Sequence, residues 1–292
     1  MDRIKALSPQ SALALVVGLL VGPVHGTAAP PSAQAIEQMV EDYFAPREAK
    51  AFSKPLSIPE ALVAQKSFVK RLEGRLGKPV GYKVGLVTRE MQERFGVESP
   101  VRGILLEKML LPNRSEVAPG FAVRPLLEAD LIVVVNDRGI NKAQSIIEIA
   151  EHLKDVVAFI ELPDAFIPTN PPPTGALLTA ANVGARLGVL GNRVAVRPTA
   201  EFIKALAEMK VTITDGTGVE LGRGQGKAIL DHPLNAVLWL MEELHRSGER
   251  LKAGDMISLG SIKAIPPPSG KTVIVRYEGL PGVPLEATVH FR

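Results

Sequence analysis

The chain has 292 residues, 46% hydrophobic and 22% charged, with a formal net charge of +3. That is enough for one large domain or two small ones with a sizeable core. Basic residues are scattered and aromatics make up only 4%, which argues against a nucleic-acid surface or a base-stacking platform. Cysteine is absent, which excludes disulfides, thiolate metal sites and a cysteine nucleophile.

At the start, Arg3 and Lys5 precede an apolar stretch from Ala12 to Val24, and small residues follow at Gly26-Thr27-Ala28. The stretch is too short to span a bilayer comfortably. Gly18, Gly22 and Pro23 make it a poor core helix. The pattern is that of an export signal over residues 1–28, cleaved before Ala29, and it predicts a periplasmic or secreted protein with no membrane segment after cleavage. Residues 29–54 read as a linker and an N-terminal helix, Ala35 to Tyr43. Ile58 to Leu76 is a longer amphipathic helix with Pro59 in its first turn.

From Val80 the chain is strand-rich. Val80-Gly81-Tyr82-Lys83-Val84-Gly85 sets a lysine between apolar residues in a short strand flanked by glycines. The spacing fits a surface lysine on an alternating strand. It also fits a lysine turned into a cleft, able to bind a carboxylate or carry a proton. Thr88 to Phe95 reads as a short helix, Val97 to Gly103 as a loop, and Gln144 to Leu153 as a helix with His152 on its surface. Leu162 to Gly175, with Pro168 and Pro171-Pro172-Pro173, reads as a long loop of the kind often used for function. Glu201 to Met209 is helical by pattern, Val211 to Thr214 a strand, and Asp215-Gly216 a hairpin turn. Gly222-Arg223-Gly224-Gln225-Gly226-Lys227 does not match the phosphate-binding loop, because the spacing is wrong and Ala228 follows the lysine. Asp231 is the expected N-cap of a helix running to about Arg246. Strands Met256 to Leu259, Thr272 to Tyr277 and Glu286 to Phe291 close the chain.

The most informative stretch runs from Arg124 to Glu161. Leu131 to Val135 and Val156 to Ile160 are short, β-branched runs that read as buried strands. Side chains two apart share a face, so Glu128 and Asp130 project together while Leu127, Ala129 and Leu131 face the other way. Two like charges at the mouth of a buried strand repel, and each costs desolvation energy. A solvated face is the simpler account of the pair. The sharper one is that Glu161, at the end of the second strand, joins them as a third oxygen ligand. Such a hard, all-oxygen set suits Mg²⁺ or Mn²⁺.

The ordered set of motifs resembles a known family. It comprises Gly81-Tyr82-Lys83-Val84-Gly85-Leu86, Gly96-Val97 with Pro100, the Glu128/Asp130 pair, Glu161, Asn182 with Leu190-Gly191, His232-Pro233-Leu234-Asn235-Ala236, Leu251-Lys252-Ala253-Gly254-Asp255 and Gly260-Ser261. Over residues 55–292 this resembles the 2-oxopent-4-enoate hydratase and 4-oxalocrotonate decarboxylase family of the fumarylacetoacetate hydrolase superfamily. The resemblance implies an α+β fold with a rolled mixed β-sheet core, an N-terminal helical region and often a homo-oligomer. It implies Mg²⁺ or Mn²⁺ on Glu128, Asp130 and Glu161. A small 2-oxo acid would chelate that ion and react through a metal-stabilised enolate. Lys83 would be the catalytic residue, and Lys83, Asn182, Arg102 and Arg186 would contact substrate.

Departures from the family pattern keep alternatives open. Val101 and Arg102 stand where the family commonly has an acidic residue and an aromatic. Val183, Arg186 and Leu187 replace small residues, and Asp130 replaces the commoner glutamate. Hydration, decarboxylation, carbon–carbon hydrolysis of an acylpyruvate, and oxo-acid binding without turnover all remain compatible with the chain.

Overall fold

A computed structural model describes residues 31–282 and 284–292. The expected export signal lies outside the described residues. Helices α1 (Ala33–Phe44) and α2 (Ile58–Leu76) lead into β1 (Pro79–Gly85), α3 (Arg89–Arg94), β2 (Val101–Leu106), β3 (Leu110–Leu111) and β4 (Ser115–Val117). Next come β5 (Leu127–Val135), α4 (Ile146–Glu151), β6 (Leu153–Leu162), α5 (Gly175–Ala180), β7 (Leu187–Ala195), α6 (Ala200–Glu208), β8 (Lys210–Asp215) and β9 (Glu220–Gln225). Helix α7 (Pro233–Arg246) precedes β10 (Met256–Ser258), β11 (Lys263–Ile265), β12 (Thr272–Glu278) and β13 (Leu285–Phe291). No helix among the described residues is long and apolar enough to cross a membrane.

The strands form two mixed sheets. The larger has the order β2-β1-β10-β5-β6-β7-β3, with β11 also paired to β5. The smaller has the order β4-β13-β12-β8-β9. Together with the helices they make the mixed, curled-sheet fold that the sequence leads one to expect.

Period-two alternation sorts the two long central strands. Leu127, Ala129, Leu131 and Val133 of β5, with Val156, Ala158 and Ile160 of β6, enter one core with Val211 and Ile213 of β8, Val273, Val275 and Tyr277 of β12, and Leu234, Val237 and Leu240 of α7. Burial of this face against the second sheet and α7 is the main stabilising term on that side. The opposite face of β5 and β6 carries the acids. Tyr277 fastens the sheets together, its hydroxyl reaching the Asp130 carbonyl at 2.5 Å and the Phe159 carbonyl at 2.9 Å.

A second core joins α1, α2 and α5. Ile36, Met39 and Tyr43 pack with Phe68, Leu72 and Phe166, and edge-on aromatic pairs place Tyr43 against Phe68 and Phe166.

Several boundaries differ from expectation. Val101 to Gly103 belong to β2 rather than to a loop, because β1 pairs with them along Lys83 to Gly85. Helix α4 is only six residues long, since Leu153 already starts β6. His152 sits at its C-terminal boundary, with Nδ1 2.9 Å from Asp137. Asp215 ends β8, and its carboxylate accepts from the Thr217 and Val219 amides, so the connection to β9 is a longer side-chain-closed loop. The N-cap of α7 is His232, whose Nδ1 accepts from the Leu234 amide at 3.1 Å; Asp231 has φ 64° and lies outside the cap.

Candidate active site

Register brings the predicted acids together. Glu128 of β5 pairs directly with Glu161 of β6, and Asp130 pairs with Phe159. On the other side of β5, Ser258 of β10 pairs with both Ile132 and Lys83. Paired residues share a face, so Lys83, Ser258, Glu128, Asp130 and Glu161 line one side of the sheet across four strands. Lys83 is 3% exposed, Glu161 2% and Asp130 0%.

Lys83 Nζ lies 2.5 Å from Glu161 Oε1 and donates to the Val183 carbonyl at 3.0 Å. The approach to Glu161 is an ion pair without a well-aligned hydrogen bond, and Oε1 is otherwise unpartnered. Glu128 stands directly across the ladder from Glu161. Burial, then the Glu161 charge, push the Glu128 carboxyl up to about 8. The same two causes push Asp130 up to about 7, with Ser258 acting in the opposite direction. Two buried carboxylates, Asp130 and Glu161, and the half-buried Glu128 face one ammonium. Such a set lacks positive charge, and it is either protonated or completed by a cation.

Asp130 is turned toward β10. Its Oδ2 accepts from Ser258 Oγ, and its Oδ1 accepts from the Gly260 amide at 2.9 Å and its neighbour Leu131's amide at 2.5 Å. No three acidic or imidazole side chains among the described residues stand at common-ligand spacing. The all-oxygen, charge-deficient donor set suits a hard divalent ion. Glu128 and Glu161 would hold it, and Asp130 would join by rotating away from Ser258 and Gly260.

A turn closes over Lys83. Asn182, Val183 and Gly184 take φ of 56°, 53° and 65°, the left-handed region that a β-branched valine rarely enters. Val183 packs with Leu86 and Val101, close enough to Gly85 that a Cβ there would lie 2.5 Å from Val183 Cγ1. A Cβ on Gly103 would fall 2.8 Å from both Lys83 Cγ and the Asn182 carbonyl. Glycine at these two positions lets the turn seat directly on the lysine. With Lys83 and Glu161 this buried, a ligand reaches them only when the covering segment moves.

The other expected substrate contacts are occupied elsewhere. Asn182 uses both ends of its amide on one residue: Oδ1 accepts from the Ile104 amide at 2.7 Å, and Nδ2 donates to the Ile104 carbonyl at 2.9 Å. Arg186 donates to the Tyr43 carbonyl, lies 4.4 Å above that ring and stands 4.0 Å from Asp164. Arg102 pairs with Val84 while Gly103 pairs with Lys83, so Arg102 leaves β2 on the opposite face and meets Glu249 at 3.1 Å. None of these three side chains joins the acids. Sequence reading missed Ser258, the Gly260 amide and the Val183 carbonyl. The Gly260-Ser261 motif pointed toward that turn, whereas the two backbone groups carry no side-chain signal.

No protein-family model matches the chain. Curated relatives include 2-keto-4-pentenoate hydratase 1 of Dechloromonas aromatica, 30% identical over 213 residues, or 72% of this chain and 78% of the relative. They also include 4-oxalocrotonate decarboxylase of Pseudomonas putida, 29% identical over 238 residues, or 78% and 84%. Among solved structures, 4-oxalocrotonate decarboxylase from Pseudomonas putida G7 complexed with magnesium and adipate superposes with a TM-score of 0.78 at 23% identity, covering 89% of this chain and 97% of that one. Fumarylpyruvate hydrolase from Pseudomonas aeruginosa with Mn²⁺ and pyruvate gives 0.51 at 14% identity, covering 72% and 88%.

Proposed function

The chain belongs to the 2-keto-4-pentenoate hydratase and 4-oxalocrotonate decarboxylase family of the fumarylacetoacetate hydrolase superfamily, and from that premise we propose a divalent-metal-dependent lyase that hydrates a 2-hydroxydienoic (2-oxo) acid. The observation that carries the reading is the buried face on which Lys83 Nζ meets Glu161 at 2.5 Å beside Glu128 and Asp130. Mg²⁺ or Mn²⁺ is the fitting ion, and when bound it supplies a Lewis acid opposite the negative charge that develops at the C2 oxygen of such a substrate.

The chain's own groups do the rest. Lys83 presents an ammonium whose present partners are the Val183 carbonyl and Glu161. A substrate carboxylate entering the site would take the place of the Val183 carbonyl on Nζ. From there Lys83 either holds that carboxylate or moves a proton to the carbon skeleton, the latter a contribution typically worth about 10²- to 10⁴-fold. The Val183 turn and the apolar residues beneath it exclude water from the buried charges, which strengthens every electrostatic contact inside. Ser258 and the Gly260 amide hold Asp130 toward β10, so its entry to the ion's shell exchanges these contacts for the metal.

The test is the ultraviolet absorbance of freshly made 2-hydroxypenta-2,4-dienoate with purified protein and Mg²⁺ or Mn²⁺. Loss of the diene signal is expected with the ion and not in EDTA or with Glu128→Ala. Product analysis then separates hydration from simple ketonisation. An unchanged signal, with metal binding retained, would overturn hydration of this acid and favour decarboxylation, acylpyruvate hydrolysis or binding alone. Failure to bind either ion would overturn the metal-dependent reading itself.

A further inference from the structure

The turn over Lys83 is the tip of a segment in which four consecutive carbonyls each have a donor. The Asn182 carbonyl accepts from the Ala185 amide at 3.0 Å, Val183 from Lys83 Nζ at 3.0 Å, Gly184 from the Asp164 amide at 2.9 Å and Ala185 from the Tyr43 hydroxyl at 3.2 Å. Of these donors, Lys83 is the one a substrate carboxylate would claim.

Tyr43, at the end of α1, grips the root of this segment from two sides. Its hydroxyl holds Ala185, and its carbonyl accepts from Arg186 Nη1, whose guanidinium lies 4.4 Å above the Tyr43 ring. Asp164 stands behind them, with Oδ1 accepting from the Val123 and Arg124 amides at 3.0 and 2.9 Å and Oδ2 4.0 Å from Arg186. Tyr43 itself is 3% exposed and set edge-on against Phe68 and Phe166. The root is therefore tied to a packed core. The tip carries Val183 at φ 53°, a backbone state that valine adopts at a cost. A strained tip on a fixed root opens more readily than the strands around it.

We infer that Tyr43 and Arg186 are positioning residues that hold residues 182–186 as a strap over Lys83, so that their grip sets how often the ammonium is free to take a ligand. Ligand capture competes with the Val183 carbonyl for Nζ, and a looser root raises the share of molecules in which Lys83 is accessible. The inference rests on Lys83 being the ligand-facing group of the proposed site, but its test needs no turnover.

Full-length protein would be treated with 2,4,6-trinitrobenzenesulfonate, and the rate at Lys83 measured by peptide mass spectrometry against the exposed Lys204. Tyr43→Phe keeps the ring and removes the hydroxyl. Arg186→Met removes the charge and the bond to the Tyr43 carbonyl. Each is expected to speed Lys83 labelling by about 3- to 10-fold, as loss of one hydrogen bond from the closed state would, with Arg186→Lys nearer wild type. Gly85→Ala, which sets a methyl 2.5 Å from Val183 Cγ1, should push the tip away and speed labelling without touching the root. Val69→Ala thins the same core as Tyr43 and should lower the urea midpoint without that gain. Unchanged labelling in the root variants would overturn the inference, and where Arg186→Met does not fold, Tyr43→Phe alone decides. An equal gain in Val69→Ala would overturn it as general loosening. No gain in Gly85→Ala would show that the turn does not cover Lys83 and overturn it too. Faster labelling in the root variants of a protein that consumes no dienoate would support the strap and overturn the hydration reading alone.

Discussion

Asn182 closes both of its amide hydrogen bonds on the backbone of Ile104, at 2.7 and 2.9 Å, from a left-handed conformation with φ 56°. Asn182→Ala would leave that N–H and C=O without partners and set a Cβ-bearing residue without local hydrogen bonds in a strained conformation. The expected loss is about 2–4 kcal/mol, combining two unsatisfied groups with backbone strain. Urea unfolding reads it as a lower midpoint, and a shift equivalent to less than about 1 kcal/mol would mean the clamp is not what holds the turn. From sequence, Asn182 was legible as a special residue but not as a clamp. A motif shows that an amide is needed, whereas its partner is set by a strand 78 residues away. Arg102 was illegible for the same reason: its face follows from the pairing of Lys83 with Gly103, a tertiary fact. The acids were easier to read. Glu128 and Asp130 share a face by period alone, and only the pairing with Glu161 had to be assumed.

Helix α7 shows how an element's end becomes a pH-sensitive joint. His232 caps it by accepting from the Leu234 amide through Nδ1, while Nε2 meets the Ile203 carbonyl at 2.9 Å. This arrangement requires a neutral ring with the proton on Nε2, because a protonated Nδ1 cannot accept. Burial accordingly lowers the His232 pKa below its ordinary 6.5. The unfolded chain then binds more protons than the folded one as pH falls past that value. The cap's contribution is thus present above about pH 6.5 and lost as pH drops through the lower folded-state value. His232→Asn, which still accepts but does not titrate, is expected to flatten the melting-temperature profile between about pH 5 and 7. An unchanged slope would assign the acid sensitivity to other groups. The helix itself was plain in the sequence from its apolar period and Pro233. The capping residue was not, since Asp231 is the better cap by composition and loses only because its backbone is left-handed. Strand β2 was missed in part because Val101-Arg102-Gly103 has no alternation of its own and is recruited by β1.

At the scale of the molecule, the first 28 residues separate this chain's expected location from its chemistry. We propose that they direct export and are removed. N-terminal sequencing of the periplasmic fraction should then begin at Ala29, and protein starting at Met1 in the soluble cytoplasm would refute export. The folded part was legible as a mixed α+β architecture because ordered motifs span it, yet the division into two sheets was not, since strand order depends on pairings with no local signature. The tyrosine bridge between the sheets shows why that order matters for the site. Tyr277 fixes β5 and β6 at Asp130 and Phe159, and all the acids lie on one parity of those strands while the hydrocarbon of the main core lies on the other. These strands therefore keep a reading frame of two, much as codons keep a frame of three. A single-residue insertion between Leu127 and Val135 would turn the acids beyond it into hydrocarbon and bring leucines and valines out to the lysine. Insertions of two could restore the phase, so length can drift along this stretch only in pairs.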